Sequence, residues 1–123
     1  AGSTDEGMIA CGTSIMNRVD SPSYPDNVHD VIMAYDQYEV TFRYPYCVTF
    51  NKYINGTLDI PSNALNCATR VLSGERDERL MSCPYSSAPN NGPCRSFFTD
   101  NASTENNYPK GINIKGNWYH WYW

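Results

Sequence analysis

The stretch Ile15–Pro25, which reads IMNRVDSPSYP, marks where a helical pattern stops. Its two prolines cannot continue a helix, and each restricts the residue before it. Ser3 and Glu6 lie three residues apart, as the N-cap residue and the glutamate of a capping box do. We therefore predict a central helix over about Thr4–Arg18. Its inward side chains are spaced at i, i+3/i+4, and they are Met8, Cys11, Ile15 and Val19.

Two further helices are predicted after this stretch. Asp26 or Asn27 caps a short second helix. Its inward residues are Val28, Val31, Ile32 and Tyr35. A third helix starts at Pro61 and Ser62 and ends before Gly74, the residue type expected just past a helix C-terminus. Its shared apolar face is predicted to be Leu65, Ala68, Val71 and Leu72.

Strand patterns occupy the middle and the end of the chain. Between Gln37 and Phe50, aromatic and β-branched residues alternate with polar ones at period two. Ser96–Thr99 and Ile112–Trp123 are the other two strand candidates. Helices followed by a short sheet predict a small α+β domain.

Length and composition define the class of protein. The 123 residues fit one domain, 1–123, and the 41% hydrophobic fraction excludes intrinsic disorder. The net charge of −4 argues against nucleic acid as a partner. No apolar run approaches the ~18–20 residues of a membrane span.

Five cysteines and two glycosylation motifs indicate an extracellular protein. Cys83 and Cys94 enclose a loop rich in proline and asparagine, so we predict a disulfide between them, with Cys11 as a candidate buried thiol. Five reduced cysteines are the alternative. No cysteine or histidine cluster has metal-site spacing. The N-x-[ST] motifs begin at Asn55 and Asn101.

The chain closes with WYHWYW, five aromatic residues in Trp118–Trp123. On a strand they would alternate between core and surface and leave an exposed aromatic row. Such a row suits a glycan or a protein partner. An unpaired strand edge at this end also predicts a homo-oligomer or filament.

The segment from Glu6 to Ile32 resembles the SleB-type cell-wall hydrolases, which include the spore-cortex-lytic enzymes. The shared core is N-R-V followed by S-P-x-[FY]-P, here Asn17–Val19 and Ser21–Pro25. Weaker likeness extends through Gln37-Tyr38 and Ser96–Asp100 to the end of the chain. The resemblance implies a lysozyme-like fold and action on peptidoglycan-like glycan polymers, with no cofactor.

The resemblance leaves the catalytic acid open. The family's general-acid glutamate falls one residue upstream of Ala1, while Glu6 matches a second family glutamate at the helix start. Trp118 takes the place of the family's closing histidine. Glycoside cleavage needs a carboxylic acid to protonate the leaving oxygen. Glu39 is the candidate in this sequence, and a solvent-facing strand residue is the alternative interpretation.

Gln37, Tyr38 and Tyr44 are the candidate sugar-binding residues, because aromatic rings stack on pyranoses and amides bond N-acetyl groups. A core position is the alternative for Tyr38. The sequence and the family resemblance together leave two alternative functions. The first is a secreted, glycosylated, non-catalytic structural or glycan-binding domain. The second is an active hydrolase or lytic transglycosylase of peptidoglycan-like polymers, whose catalytic glutamate would lie just upstream of Ala1.

Overall fold

A computed structural model of the chain describes residues 4–34, 55–56, 59–85, 92–99 and 111–121. Within these residues, helices precede a small antiparallel sheet, which confirms the predicted α+β class. In chain order the elements are α1 Asp5–Val19, α2 Val28–Met33, α3 Ser62–Leu72, a 3-10 helix Glu78–Leu80, β1 Ser96–Thr99, β2 Gly111–Ile114 and β3 Asn117–His120. The predicted strand region Gln37–Phe50 lies outside the described residues.

Helix α1 matches the predicted span to within one residue at each end. Its N-cap is Thr4, whose hydroxyl accepts a 3.1 Å hydrogen bond from the Gly7 amide, so the predicted Ser3 cap is wrong by one position. Glu6 accepts a 2.7 Å hydrogen bond from Arg79 Nη2.

The buried side of α1 differs from the predicted one. Met8, Cys11, Ile15 and Val19 are only half-buried. The fully buried positions are Gly7, Ile9, Ala10, Thr13, Ser14, Asn17 and Arg18. Several of these are polar because α1 meets backbone groups of other segments there, as when Thr13 Oγ1 accepts from the Asp77 amide at 2.9 Å.

Two apolar clusters lie on either side of α1 and make it the central helix. One joins Ala10 to the 3-10 helix and the sheet, with Leu80, Cys94, Ile114, Tyr119 and Trp121. The other joins Ile9 to Cys67 and Val71 of α3. The predicted central position of this helix is therefore confirmed.

The two shorter helices begin where the sequence indicates. Asn27 caps α2 by accepting from the Asp30 amide at 2.9 Å, and Gly74 follows α3 with φ +112°. The inward face of α3 is narrower than predicted. Cys67 and Val71 are buried, whereas Leu65 and Leu72 are 54% and 65% exposed. The cause is the placement of α1, which covers only one side of this helix.

The end of the chain forms two strands where one was predicted. Lys115 and Gly116 both have positive φ, +50° and +89°, as a type I′ hairpin turn requires, and they join β2 to β3. The sheet order is β1-β3-β2, antiparallel throughout.

This order corrects the prediction for the aromatic end. Strand β3 is central, with a partner on both sides, so it offers no free edge for another copy. Tyr119, His120 and Trp121 are all fully buried, and the predicted exposed row is not formed by them. Tyr122 and Trp123 lie outside the described residues. No described helix is long and apolar enough to cross a membrane.

Candidate functional site

The four residues predicted to act on a sugar lie in one undescribed part of the chain. Gln37, Tyr38, Glu39 and Tyr44 all fall there, and the predicted glycosylation site Asn101 lies in another undescribed part of the chain. Asn55 is exposed in a turn with Gly56, whose φ is +70°. In the described part of the chain, the candidate site lies on the sheet.

One face of the sheet carries aromatic side chains directed away from the cluster around Ala10. Side chains alternate along a strand, so Phe98, Trp118 and His120 share this face. Phe98 pairs with Trp118 across β1 and β3. The Phe98 ring also stacks on His120, with centroids 5.2 Å apart and planes within 4°. Phe98 remains 39% exposed and Trp118 is half-buried, so the face presents an aromatic surface.

Gly111 allows Trp118 to lie flat across the neighbouring strand. A Cβ at this position would be 2.7 Å from Trp118 Nε1 and 2.6 Å from the Tyr119 carbonyl oxygen. Any side chain at position 111 would therefore push the indole off the sheet. Because Gly111 has no side chain, Trp118 can occupy this position, and this sets where the aromatic surface lies.

Arg18 anchors the end of α1 beneath this face. Its Nε donates a 2.6 Å hydrogen bond to the Arg95 carbonyl, and its Nη2 lies 3.5 Å from Ser96 Oγ. The guanidinium carbon also lies 5.0 Å from the centre of the Tyr24 ring, within cation–π range. Arg18 is 95% buried and joins α1 to β1.

His120 is held in its neutral form on this face. Burial, together with the smaller effect of the nearby positive charge of Arg18, lowers the pKa of His120 to about 4. The ring is therefore uncharged at neutral pH, so it supports the stacked Phe98 ring and does not act as an acid.

The described carboxyl groups whose pKa values are shifted are unsuited to the general-acid role. That role needs a raised pKa, so that the acid stays protonated near neutral pH. Hydrogen bonds from Arg79 lower the pKa of Glu6 and of Asp77, and a hydrogen bond from Arg70 does the same for Glu75. Glu6 also lies 3.6 Å from Lys115 Nζ. Glu6, Asp77 and Glu75 therefore serve as ion-pair partners of arginine side chains.

The structure does not contain the predicted Cys83–Cys94 disulfide, and both residues are free thiols. The Cys94 sulfur lies 3.2 Å from the His120 carbonyl oxygen, and the Cys83 sulfur lies 3.1 Å from that of Tyr85. Burial raises the pKa of Cys94 to about 12 and that of Cys11 to about 11, so neither is a nucleophile at neutral pH. Among the described residues there is no group of three or more side chains suited to a metal.

Comparison with known proteins identifies the class. A family model described as cell wall hydrolase matches residues 2–110. The chain therefore belongs to the cell wall hydrolase family. No curated protein and no solved structure matches it significantly.

Proposed function

We propose that this domain binds a peptidoglycan-like cell-wall glycan on the aromatic face of its sheet. The observation that carries the proposal is the pairing of Phe98 with Trp118, which leaves Phe98 39% exposed beside a half-buried indole. The C–H groups of a pyranose ring pack on the face of an aromatic ring, and neutral polar neighbours such as Asn113 bond hydroxyl and amide groups. Family membership supports a glycan ligand.

We further propose that the domain binds without cleaving. The carboxyl groups with shifted pKa values in the described part of the chain are all shifted downwards, by partners such as Arg79, opposite to the direction a general acid needs. In this proposal the family fold serves as a structural or glycan-binding domain.

Hydrolysis or lytic transglycosylation of the same polymer is the second candidate, and family membership favours it. Glu39 would then supply the acid, with Gln37, Tyr38 and Tyr44 lining the sugar groove. SleB-type specificity belongs to this proposal too, because the N-R-V and S-P-x-[FY]-P motifs resemble that group.

The cell-wall ligand implies an extracellular or cell-wall location. Sugar on Asn55 or Asn101 is part of the same proposal, since the exposed turn at Asn55 leaves that side chain at the surface. The intact mass before and after enzymatic deglycosylation tests this directly. An unchanged mass would contradict glycosylation.

The test of function is one experiment with two readouts on purified insoluble peptidoglycan. We expect the full chain to co-sediment with the polymer and to release no soluble fragments. Fragment release that disappears in Glu39→Gln would establish the hydrolase instead. No co-sedimentation and no release would contradict both candidates.

A further inference from the structure

The two aromatic side chains on the outer face of the sheet belong to neighbouring strands, and each extends towards the next strand. The Phe98 ring of β1 stacks on His120 of β3, with centroids 5.2 Å apart. Trp118 of β3 extends over β2, where its Nε1 lies 2.7 Å from the place that a Cβ would take at Gly111. Neighbouring strands lie ~4.8 Å apart, close to the length of one pyranose unit in a β-1,4-linked chain. Two successive sugar units can therefore each meet one ring when the glycan runs across the strands.

A side-chain amide lies beside the two rings on β2. Asn113 is exposed and pairs with Trp118 in the register of the sheet. Its Oδ1 accepts a 3.3 Å hydrogen bond from the Gly116 amide, which positions the group at the start of the hairpin turn. A side-chain amide has two donor hydrogens and two acceptor lone pairs, so Asn113 can keep this bond and also bond the acetamido group of a sugar. Phe98, Trp118 and Asn113 thus form one row across the three strands, which we call the aromatic row.

The charges near the aromatic row do not suit the peptide part of peptidoglycan. Peptide stems carry carboxylates, which bind most strongly to cationic side chains. Arg18, beneath this face, is buried and donates from Nε to the Arg95 carbonyl at 2.6 Å. Lys115 Nζ, in the turn after β2, lies 3.6 Å from a carboxylate oxygen of Glu6. The net charge of −4 also opposes an acidic ligand, so the row suits the uncharged part of the polymer.

We infer that the aromatic row binds the sugar backbone alone, as a β-1,4-linked oligosaccharide of N-acetylglucosamine, and that no peptide stem is required. Phe98 and Trp118 each pack on one sugar ring, and Asn113 bonds an acetamido group, which selects N-acetylated sugars over glucose polymers. The glycan strand of peptidoglycan and chitin share this chemistry, so a chitin fragment binds as well. The inference rests on the proposed glycan binding at this face and adds which part of the polymer is recognised.

The test is calorimetric titration of the full chain with four probes. They are a soluble peptidoglycan fragment, the tetramer of N-acetylglucosamine, cellotetraose and an isolated stem peptide. We expect the N-acetylglucosamine tetramer to bind with a Kd similar to that of the peptidoglycan fragment. Cellotetraose lacks the acetamido group and should bind about five-fold more weakly, which is the effect of one hydrogen bond. The stem peptide should give no heat of binding.

Asn113→Asp tests the role of the amide without removing the turn contact. The carboxylate keeps an acceptor for the Gly116 amide but has no amide donor. Affinity for the N-acetylglucosamine tetramer should therefore fall about five-fold, with a much smaller change for cellotetraose. Asn66→Asp is the matched control, because it adds the same charge at an exposed position of α3, and it should leave both affinities unchanged.

The outcomes separate this inference from the proposed function. Binding of the peptidoglycan fragment without binding of the N-acetylglucosamine tetramer would overturn the inference and leave the proposed function standing. Absence of binding to both would overturn the proposed function too. Tight binding of the stem peptide would contradict recognition of the sugar backbone alone. If Asn113→Asp fails to fold, the wild-type chain decides the question, since equal affinities for the tetramer and cellotetraose would contradict recognition of the acetamido group.

Discussion

The side-chain amide of Asn17 donates a 2.8 Å hydrogen bond to the carbonyl oxygen of Cys94, 77 positions along the chain. The same nitrogen donates a 3.1 Å bond to the Leu80 carbonyl. The Cys94 amide in turn donates to the Leu80 carbonyl at 2.8 Å. One buried side chain thus joins α1, the end of the 3-10 helix and the approach to β1, which fixes the sheet against the central helix.

We predict that Asn17→Ala lowers the free energy of unfolding by about 2–4 kcal/mol, because it leaves two buried carbonyl groups without this donor. Urea denaturation measures the change. Asn66→Ala is the matched control, since Asn66 is exposed, and should stay within about 0.5 kcal/mol of wild type. Equal effects of the two substitutions would show that the Asn17 bonds contribute nothing.

His120 predicts a pH dependence of stability between about pH 4 and pH 6.5. In this window the unfolded chain takes up a proton that folded His120, with its pKa lowered to about 4, does not. Stability should therefore fall by roughly 1–3 kcal/mol as the pH falls through the window, and this contribution should level off below about pH 4.

Denaturation at several pH values measures this effect. His120→Gln should remove the His120 contribution to this dependence, whereas His29→Gln, which changes the exposed histidine, should leave that contribution in place. A wild-type stability that is constant between pH 4 and 6.5 would contradict the burial of a neutral His120.

Replacing two glycines by alanine tests whether the sheet and the helix packing can accommodate an added methyl group. Gly111→Ala would bring a Cβ within 2.6 Å of the rigid Tyr119 backbone and should cost more than about 2 kcal/mol. In Gly12→Ala the nearest atoms to the new Cβ belong to the Val71 side chain, at 2.9 Å, and the helix gains propensity, so this substitution should cost less. Thermal unfolding of both variants ranks them, and the reverse order would contradict the packing at Gly111.

The thiols should differ in reactivity. Cys94 is fully buried and its pKa is raised to about 12, so we expect alkylation of the folded chain at pH 8 to label half-buried Cys83 well before Cys94. Peptide mass spectrometry measures the order. Failure of both residues to react until a reductant is added would show a disulfide in solution.

The sequence predicted the positions of the helices well, because their ends carry local signals. Asn27, the prolines after α1 and Gly74 each fix an end through backbone geometry or a capping bond. The buried side of α1 was not predictable from hydropathy. Asn17 and Arg18 are buried because carbonyl groups far along the chain accept their hydrogen bonds. The periodicity of apolar residues within one helix does not indicate such distant partners.

The prediction for the aromatic segment Trp118–Trp123 was wrong for a different reason. Alternation along one strand predicts which residues share a face, but the strand order decides whether that face and its edges are covered. The Lys115-Gly116 turn, with two positive φ values, splits the segment and places β3 in the centre. Phe98 was therefore not predicted as a surface residue, although the alternation of side chains along the strand Ser96–Thr99 could have indicated it.

The central claim is that the aromatic face of the sheet binds cell-wall glycan, and the affinity of Phe98→Ala for soluble peptidoglycan fragments tests it most directly. Ile60→Ala is the control, because Ile60 has the same exposed fraction, 39%, and is not part of the sheet. By calorimetric titration we expect Phe98→Ala to bind about ten-fold more weakly or worse, a loss of ~1.4 kcal/mol, with Ile60→Ala unchanged. Wild-type affinity in a folded Phe98→Ala variant would contradict the account.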